Sequence, residues 1–178
     1  MKKILSAILF LQLILPGCKK DNKPQFSGTI TIDNIFYGSG PYYALGFSVT
    51  TGGKVSTLND PPNVISIMAD ADLNNNVRKI YFTTVGLENS FYKYGEYADA
   101  SSASLAFQNL TSFTSPLWTE IGDAVIGNQI WIYKTSHDKY AKIRVISTVG
   151  EKRNNLPYAE CTFEWVYQPD GSQTFPGK

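Results

Sequence analysis

One histidine and two cysteines in 178 residues leave most metal-centre and nucleophile chemistry without its parts. No Cys or His cluster has zinc spacing, no glycine-rich loop has phosphate-binding form, and no G-x-S-x-G occurs. His137 would be the sole imidazole base for any serine or threonine nucleophile. Glu160 and Glu164, four residues apart in an extended segment, stand about 13 Å apart by the rise per residue, beyond the carboxyl spacings of glycosidases. These absences argue against an enzyme. The chain also lacks an excess of either charge, with sixteen Lys and Arg against fifteen Asp and Glu, so it carries no electrostatic footprint for nucleic acid.

What is present begins with an export signal. Residues 1–17 have a basic start (Lys2, Lys3), an apolar run from Ile4 to Ile14 broken only by Ser6 and Gln12, and turn-forming residues before a cysteine. The run is shorter than the roughly 20 apolar residues of a membrane-spanning helix. Its end, Leu15-Pro16-Gly17-Cys18, resembles the bacterial lipobox, which implies that Cys18 becomes the acylated first residue and the lipid anchor of the mature protein. Fourteen basic and fifteen acidic residues then remain, a net charge of about −1. With Cys18 lipidated, Cys161 has no intramolecular partner and is expected to be a buried, inert thiol. Residues 18–25 (Cys-Lys-Lys-Asp-Asn-Lys-Pro-Gln) carry no large apolar side chain and read as a flexible tether. The Cys-Lys-Lys-Asp start resembles the signal that sends lipoproteins of the Bacteroidota to the outer face of the outer membrane.

Residues 26–178 are long enough for one domain with its own core. Aromatic residues make up 13% of the chain, and β-branched and aromatic segments recur between Gly- and Pro-rich breaks. Strands are expected over Thr29–Phe36, Tyr43–Thr51, Lys54–Leu58, Val64–Met68, Arg78–Val85 and Phe91–Tyr97. The breaks between them are Gly38 to Pro41, a Gly52-Gly53 hairpin link, and Asn59 to Asn63. Between Asp99 and Leu110 the period changes: Ala103, Ala106, Phe107 and Leu110 fall at i, i+3, i+4 and i+7, while Asp99, Ser101 and Ser102 offer side-chain oxygens to cap the first turn. A helix is expected there, and a weaker helical turn over Pro116–Val125, capped by Ser115. Three further strands, Ile130–Thr135, Tyr140–Val149 and Tyr158–Gln168, are joined by Ser136 to Lys139 and by a polar loop from Gly150 to Pro157. In the last of them Ala159, Cys161, Phe163, Trp165 and Tyr167 alternate with Glu160, Thr162 and Glu164, a pattern of one buried and one wet face. The fold class is therefore mainly β: a single antiparallel β-sandwich or barrel-like domain with one covering helix over about residues 99–110.

The stretches Gln129 to Thr135, Lys139 to Ile143 and Phe163 to Ser172 resemble the C-terminal portion of HmuY-like lipoproteins of the Bacteroidota. That resemblance, over about forty residues, implies a mostly β, surface-anchored haem carrier that delivers haem to a TonB-dependent receptor. It also implies haem held by a pair of His or Met side chains, for which the mature chain offers Met68 and His137. From the residues themselves, Met68 closes an apolar strand, which favours core filling over axial ligation. His137 sits at an expected hairpin tip, as a solvated turn residue or a ligand for haem iron or zinc. Asp70, Asp72 and Asn74 place oxygen atoms on alternate residues, as calcium loops do. Asn75 and Tyr81 stand where such a loop expects Gly and Glu, which favours a plain Asn-rich turn. The expected function is non-enzymatic ligand binding at the outer-membrane surface, with haem or another flat or apolar ligand. The alternatives are an accessory subunit docking on an outer-membrane transporter, and a glycan-binding module.

Overall fold

Leu156–Gln168 shows how the pattern becomes structure. Ala159, Cys161, Phe163 and Trp165 are all at most 2% exposed, and the residues between them turn to the opposite face. The computed structural model describes residues 26–38, 44–59, 63–86, 89–114 and 116–175. The export signal, Cys18, the tether to Gln25, Tyr43, Gly40 and Pro41, residues 60–62, and Ser115 lie outside them. The described elements run β1 Ser27–Asp33, β2 Leu45–Ser48, β3 Gly53–Ser56, β4 Val64–Ala71, β5 Val77–Thr83, β6 Phe91–Glu96, α1 Ala100–Asn109, β7 Gly122–Asp123, β8 Gln129–Lys134, β9 Tyr140–Arg153 and β10 Leu156–Gln168. They form two antiparallel five-stranded sheets, ordered β1-β10-β9-β8-β6 and β3-β2-β4-β5-β7, so the expected sandwich-like β architecture is present.

The inner faces of the two sheets make the main core. Phe47 of the second sheet packs 4.9 Å from Trp165 and 5.4 Å, edge-on, from Phe163 of the first, and Phe82 meets Phe163 edge-on at 5.8 Å. Cys161 lies in this core, free and fully buried, and burial pushes its thiol pKa up.

Three expectations are corrected. The polar loop from Gly150 to Pro157 is in fact the tip of a long hairpin: β9 runs to Arg153 and β10 starts at Leu156. Asn154 (φ 51°) and Asn155 (φ 64°) form the two-residue turn, and asparagine tolerates the left-handed backbone that such turns require. The helical turn over Pro116–Val125 does not form. Thr119 bridges to Phe91, and Gly122–Asp123 pairs with Tyr81 and Phe82, so these backbone groups are satisfied by strands. A Cβ on Gly122 would stand 3.2 Å from the Phe82 side chain, which is why this approach favours glycine. The β2–β3 link is four residues long, Val49 to Gly52; Gly52 alone has positive φ (68°), and Gly53 already pairs with Ser48.

The wet face of the C-terminal sheet is wet only in part. Ile130, Ile132, Tyr140 and Val166 on that face are buried against Phe107, Leu110, Phe113 and Phe175 in a second cluster. Helix α1 provides this cover where the 3.6-residue period placed it, with Asp99 Oδ1 accepting from the Ser102 N–H at 2.8 Å. Lys142 lies beneath it at 3% exposure, and its Nζ donates to the carbonyls of Phe107 and Leu110, each at 2.8 Å. Glu164 is no free surface carboxylate: Arg144 donates to it through Nε and Nη2, both at 3.1 Å, with the two side chains only 12% and 17% exposed.

Candidate functional site

With one sheet's outer face capped, the other sheet's outer face becomes the place to look. Along β4, Ile65 and Ile67 face inward while Ser66 and Met68 face out; along β5, Ile80 and Phe82 face inward while Tyr81 and Thr83 face out. The β2–β4 ladder consists of two pairs, Phe47 with Ile65 and Ser48 with Val64, and beyond them the strands part. Extending that register would set Leu45 against Ile67. Instead both border a groove of about 340 Å³, whose other apolar walls include Phe36, Met68, Tyr81 and Val85. Phe36 is 64% exposed, Met68 41% and Val85 39%, so no other described residue covers this face. Phe36 is set in place by a bridge to Ala44.

The polar end of the groove is built by the last residue of β1. Asp33 is 9% exposed; its Oδ1 accepts from the Ile35 N–H at 3.0 Å, its Oδ2 accepts from the Tyr37 hydroxyl at 2.8 Å, and the Lys54 ammonium stands 3.5 Å away. The bond to the Asp33 carboxylate holds the Tyr37 phenol above its ordinary pKa, because ionising it would set two negative charges together. Thr84 also borders the groove. It follows Ile80 and Phe82 in the inward set, is 3% exposed, and its hydroxyl oxygen has no hydrogen-bond partner among the described residues. A buried hydroxyl without a partner costs roughly 1 to 3 kcal/mol. Thr84→Val is therefore expected to raise stability by about 1 kcal/mol in a denaturant melt. A loss of stability would show that the hydroxyl has a partner in solution.

Met68 is on the rim of this groove, not in the core, because the period of two turns it outward next to inward Ile67. His137 is exposed in the turn between β8 and β9, with its Nδ1 3.3 Å from the Ser136 hydroxyl. The two are not brought together. The Ser136 N–H donates to Asn63 Oδ1 at 2.8 Å, which ties the His137 turn to the start of β4. Met68 lies five residues further on, roughly 16 Å along the strand.

In the Asp70 to Asn76 run the Asp72 carboxylate is committed to the turn. Asp72 Oδ1 accepts from the N–H groups of Asn74 and Asn76 at 2.8 and 2.9 Å, and Oδ2 accepts from the Asn76 side-chain amide at 3.0 Å. These bonds, the Asn76 amide foremost, hold the Asp72 carboxyl below its usual pKa. Asn74 gives its carbonyl to Lys152, and Asn75 takes the left-handed backbone (φ 64°). Asp70 instead faces Lys79 across the β4–β5 ladder. Among the described residues no group of three or more His, Cys, Asp or Glu is placed to hold a metal ion.

Sequence reasoning missed Phe36, Val85, Asp33 and Thr84 as a set. Phe36 and Val85 read as strand ends, and only the parting of β2 from β4 brings them to one groove. The alternation through Ile80 and Phe82 was the one available signal that Thr84 points inward.

The chain matches no protein-family model, no curated protein and no solved structure. Fold and groove define a class only: a two-sheet β protein with one outer face capped by a helix and the other left open around an apolar groove.

Proposed function

We propose that this protein is a non-enzymatic ligand-binding lipoprotein, anchored through Cys18 to the outer membrane and facing the cell exterior. The observation that carries the binding role is the uncovered groove between β2 and β4, with Phe36, Met68 and Val85 left open to solvent. Exposed apolar side chains gathered at one concavity mark recognition sites more often than scattered ones do. The groove offers haem a single thioether, that of Met68, and its charged lining residue is the carboxylate of Asp33. An apolar ligand without propionate-like groups fits it better than haem.

Two measurements test the binding role. The neutral dye Nile red is expected to bind the purified domain with enhanced emission, and Met68→Glu, which sets a charge on the rim without touching the core, is expected to weaken binding at least tenfold. Equal binding by the variant would remove the groove from the reading. Haemin is expected to leave the Soret band unshifted, whereas a shift lost in Met68→Leu would make haem the ligand.

Anchoring has its own test. One acyl chain binds membranes marginally, at about 0.8 kcal/mol per buried methylene, and two or more hold stably. Cys18→Ser is expected to appear in the soluble fraction or as unprocessed precursor. Mature protein still sedimenting with membranes would refute the lipid anchor. Protease added to intact cells is expected to remove the domain, and full protection until lysis would place it on the periplasmic side.

A further inference from the structure

The groove does not end at its apolar walls. Tyr81 also borders a second, shallower concavity of about 570 Å³, lined among others by Asp70, Asp72, Asn75 and Lys79. The register explains the join: Met68 pairs with Tyr81, and two residues along Asp70 pairs with Lys79, so all four project from the same outward face. The result is one cleft, with an apolar stretch at Phe36 and Met68 and a polar shelf at Asp70, joined by the Tyr81 ring.

The charges along this cleft select the head of the occupant. Three carboxylates line it, Asp33, Asp70 and Asp72, against one ammonium, Lys79. Lys79 is already engaged, 2.7 Å from Asp123 Oδ2, and that bond holds its pKa above the ordinary lysine value. Arg78 acts on Asp72 from beside it but does not line the cleft, and Lys54 is drawn to Asp33. An anionic head would meet no unpaired cation among the lining residues. The carboxylate of Asp70 and the hydroxyl of Tyr81, by contrast, make no hydrogen bond to any described residue, and so are open to hydroxyl groups of a ligand.

We infer that the cleft binds a neutral glycoside with an apolar aglycone, the aglycone lying against Phe36 and Met68 and the sugar set over Tyr81 with its hydroxyls on Asp70. A sugar ring has an apolar face for the tyrosine ring and donors for the carboxylate, and it brings no charge to compete with the Lys79–Asp123 pair. This rests on the groove being a binding site and adds the class of ligand.

The probes are octyl β-glucoside below its micellar concentration, octanoate, 1-octanol and glucose, titrated into the purified domain by calorimetry with Nile red displacement alongside. Octyl glucoside is expected to bind at least tenfold more tightly than octanoate, octanol or glucose. Asp70→Ala is expected to reduce its affinity about tenfold while leaving that for octanol, and the thermal melt, unchanged. Octanoate binding as tightly as the glucoside would overturn the neutral head and leave the groove standing, as would an Asp70→Ala variant with undiminished glucoside affinity. Glucose binding as tightly as octyl glucoside would overturn the need for an apolar aglycone. If neither Nile red nor any octyl compound binds, the groove itself fails as a site.

Discussion

Trp165→Ala is expected to lower the stability of the domain by about 3 to 5 kcal/mol, the range for truncating a large buried aromatic residue. Trp165 is 2% exposed, pairs with Gly28 of β1 on one side and Ile143 of β9 on the other, and packs 4.9 Å from Phe47 of the opposite sheet. Its loss empties a space walled by both sheets, and close-packed neighbours on β-strands relax only partly into such a space. Domains of this size hold about 5 to 15 kcal/mol in all, so the variant gives up a large share. Its neighbour gives the scale. Glu164→Ala breaks the two-pronged bond to Arg144 on the opposite face and leaves the largely buried guanidinium without its carboxylate. A cost of about 1 to 2 kcal/mol is expected, between the values for exposed and fully buried pairs. Urea melts compare the two. A mild Trp165→Ala beside a damaging Glu164→Ala would mean that the register is inverted and that the indole is free to meet a ligand.

Lys142→Met is expected to cost about 2 to 4 kcal/mol and to loosen α1. The last carbonyls of a helix have no partner within it, and α1 carries no basic residue in its final turn. Lys142 supplies the missing donors from the strand below, with its ammonium 2.8 Å from the carbonyls of Phe107 and Leu110 and 4.8 Å from the centroid of the Phe107 ring. Methionine keeps the apolar stem and removes the donors, leaving two buried carbonyls at roughly 1 to 3 kcal/mol each, offset in part because no charge is then buried. Hydrogen exchange gives the local reading: amides of the last turn of α1 should lose protection before those of β9. Unchanged stability together with unchanged protection would show that the ammonium does not hold the helix.

The same residue shows where reading the chain reached its limit. A period of two sets Lys142 and Arg144 of β9 on the face opposite Ala141, Ile143 and Val145, and they lie there. That this face is dry at Lys142 depends on a helix more than thirty residues earlier in the chain lying across it, which no local period reports. Asn154 and Asn155 are a related case. Their polarity marks a loop, but the backbone hydrogen bonds of β9 and β10 continue right up to the two left-handed residues, so the break is two residues wide instead of eight. In the Gly122 region local signals pointed to helix, and pairing with Tyr81 and Phe82 prevailed because a strand edge offers backbone partners that a short glycine-containing helix holds weakly.

The candidate site divides in the same way. Met68, Asp70 and Asp72 were noted for their side-chain chemistry, yet their roles differ once placed: Met68 on an open rim, Asp70 facing outward beside Lys79, and Asp72 turned into its own loop. Phe36 and Val85 carry no chemical signal, and they belong to the site because β2 leaves β4 after two pairs.

Local patterning sufficed for the mainly β class, the positions of most strands, the one helix with a cap in its first turn and the inward set of the last strand, because periods of 2.0 and 3.6 and side-chain caps act between residues close in the chain. The tertiary structure alone decided which outer face is covered and which is open, the burial of Lys142, the separation of His137 from Met68, and the joining of groove and polar shelf through Tyr81. Each of these depends on how far apart two distant strands lie and on which element rests on which sheet. Those relations are set by packing across the whole core and leave no mark on any one stretch of chain.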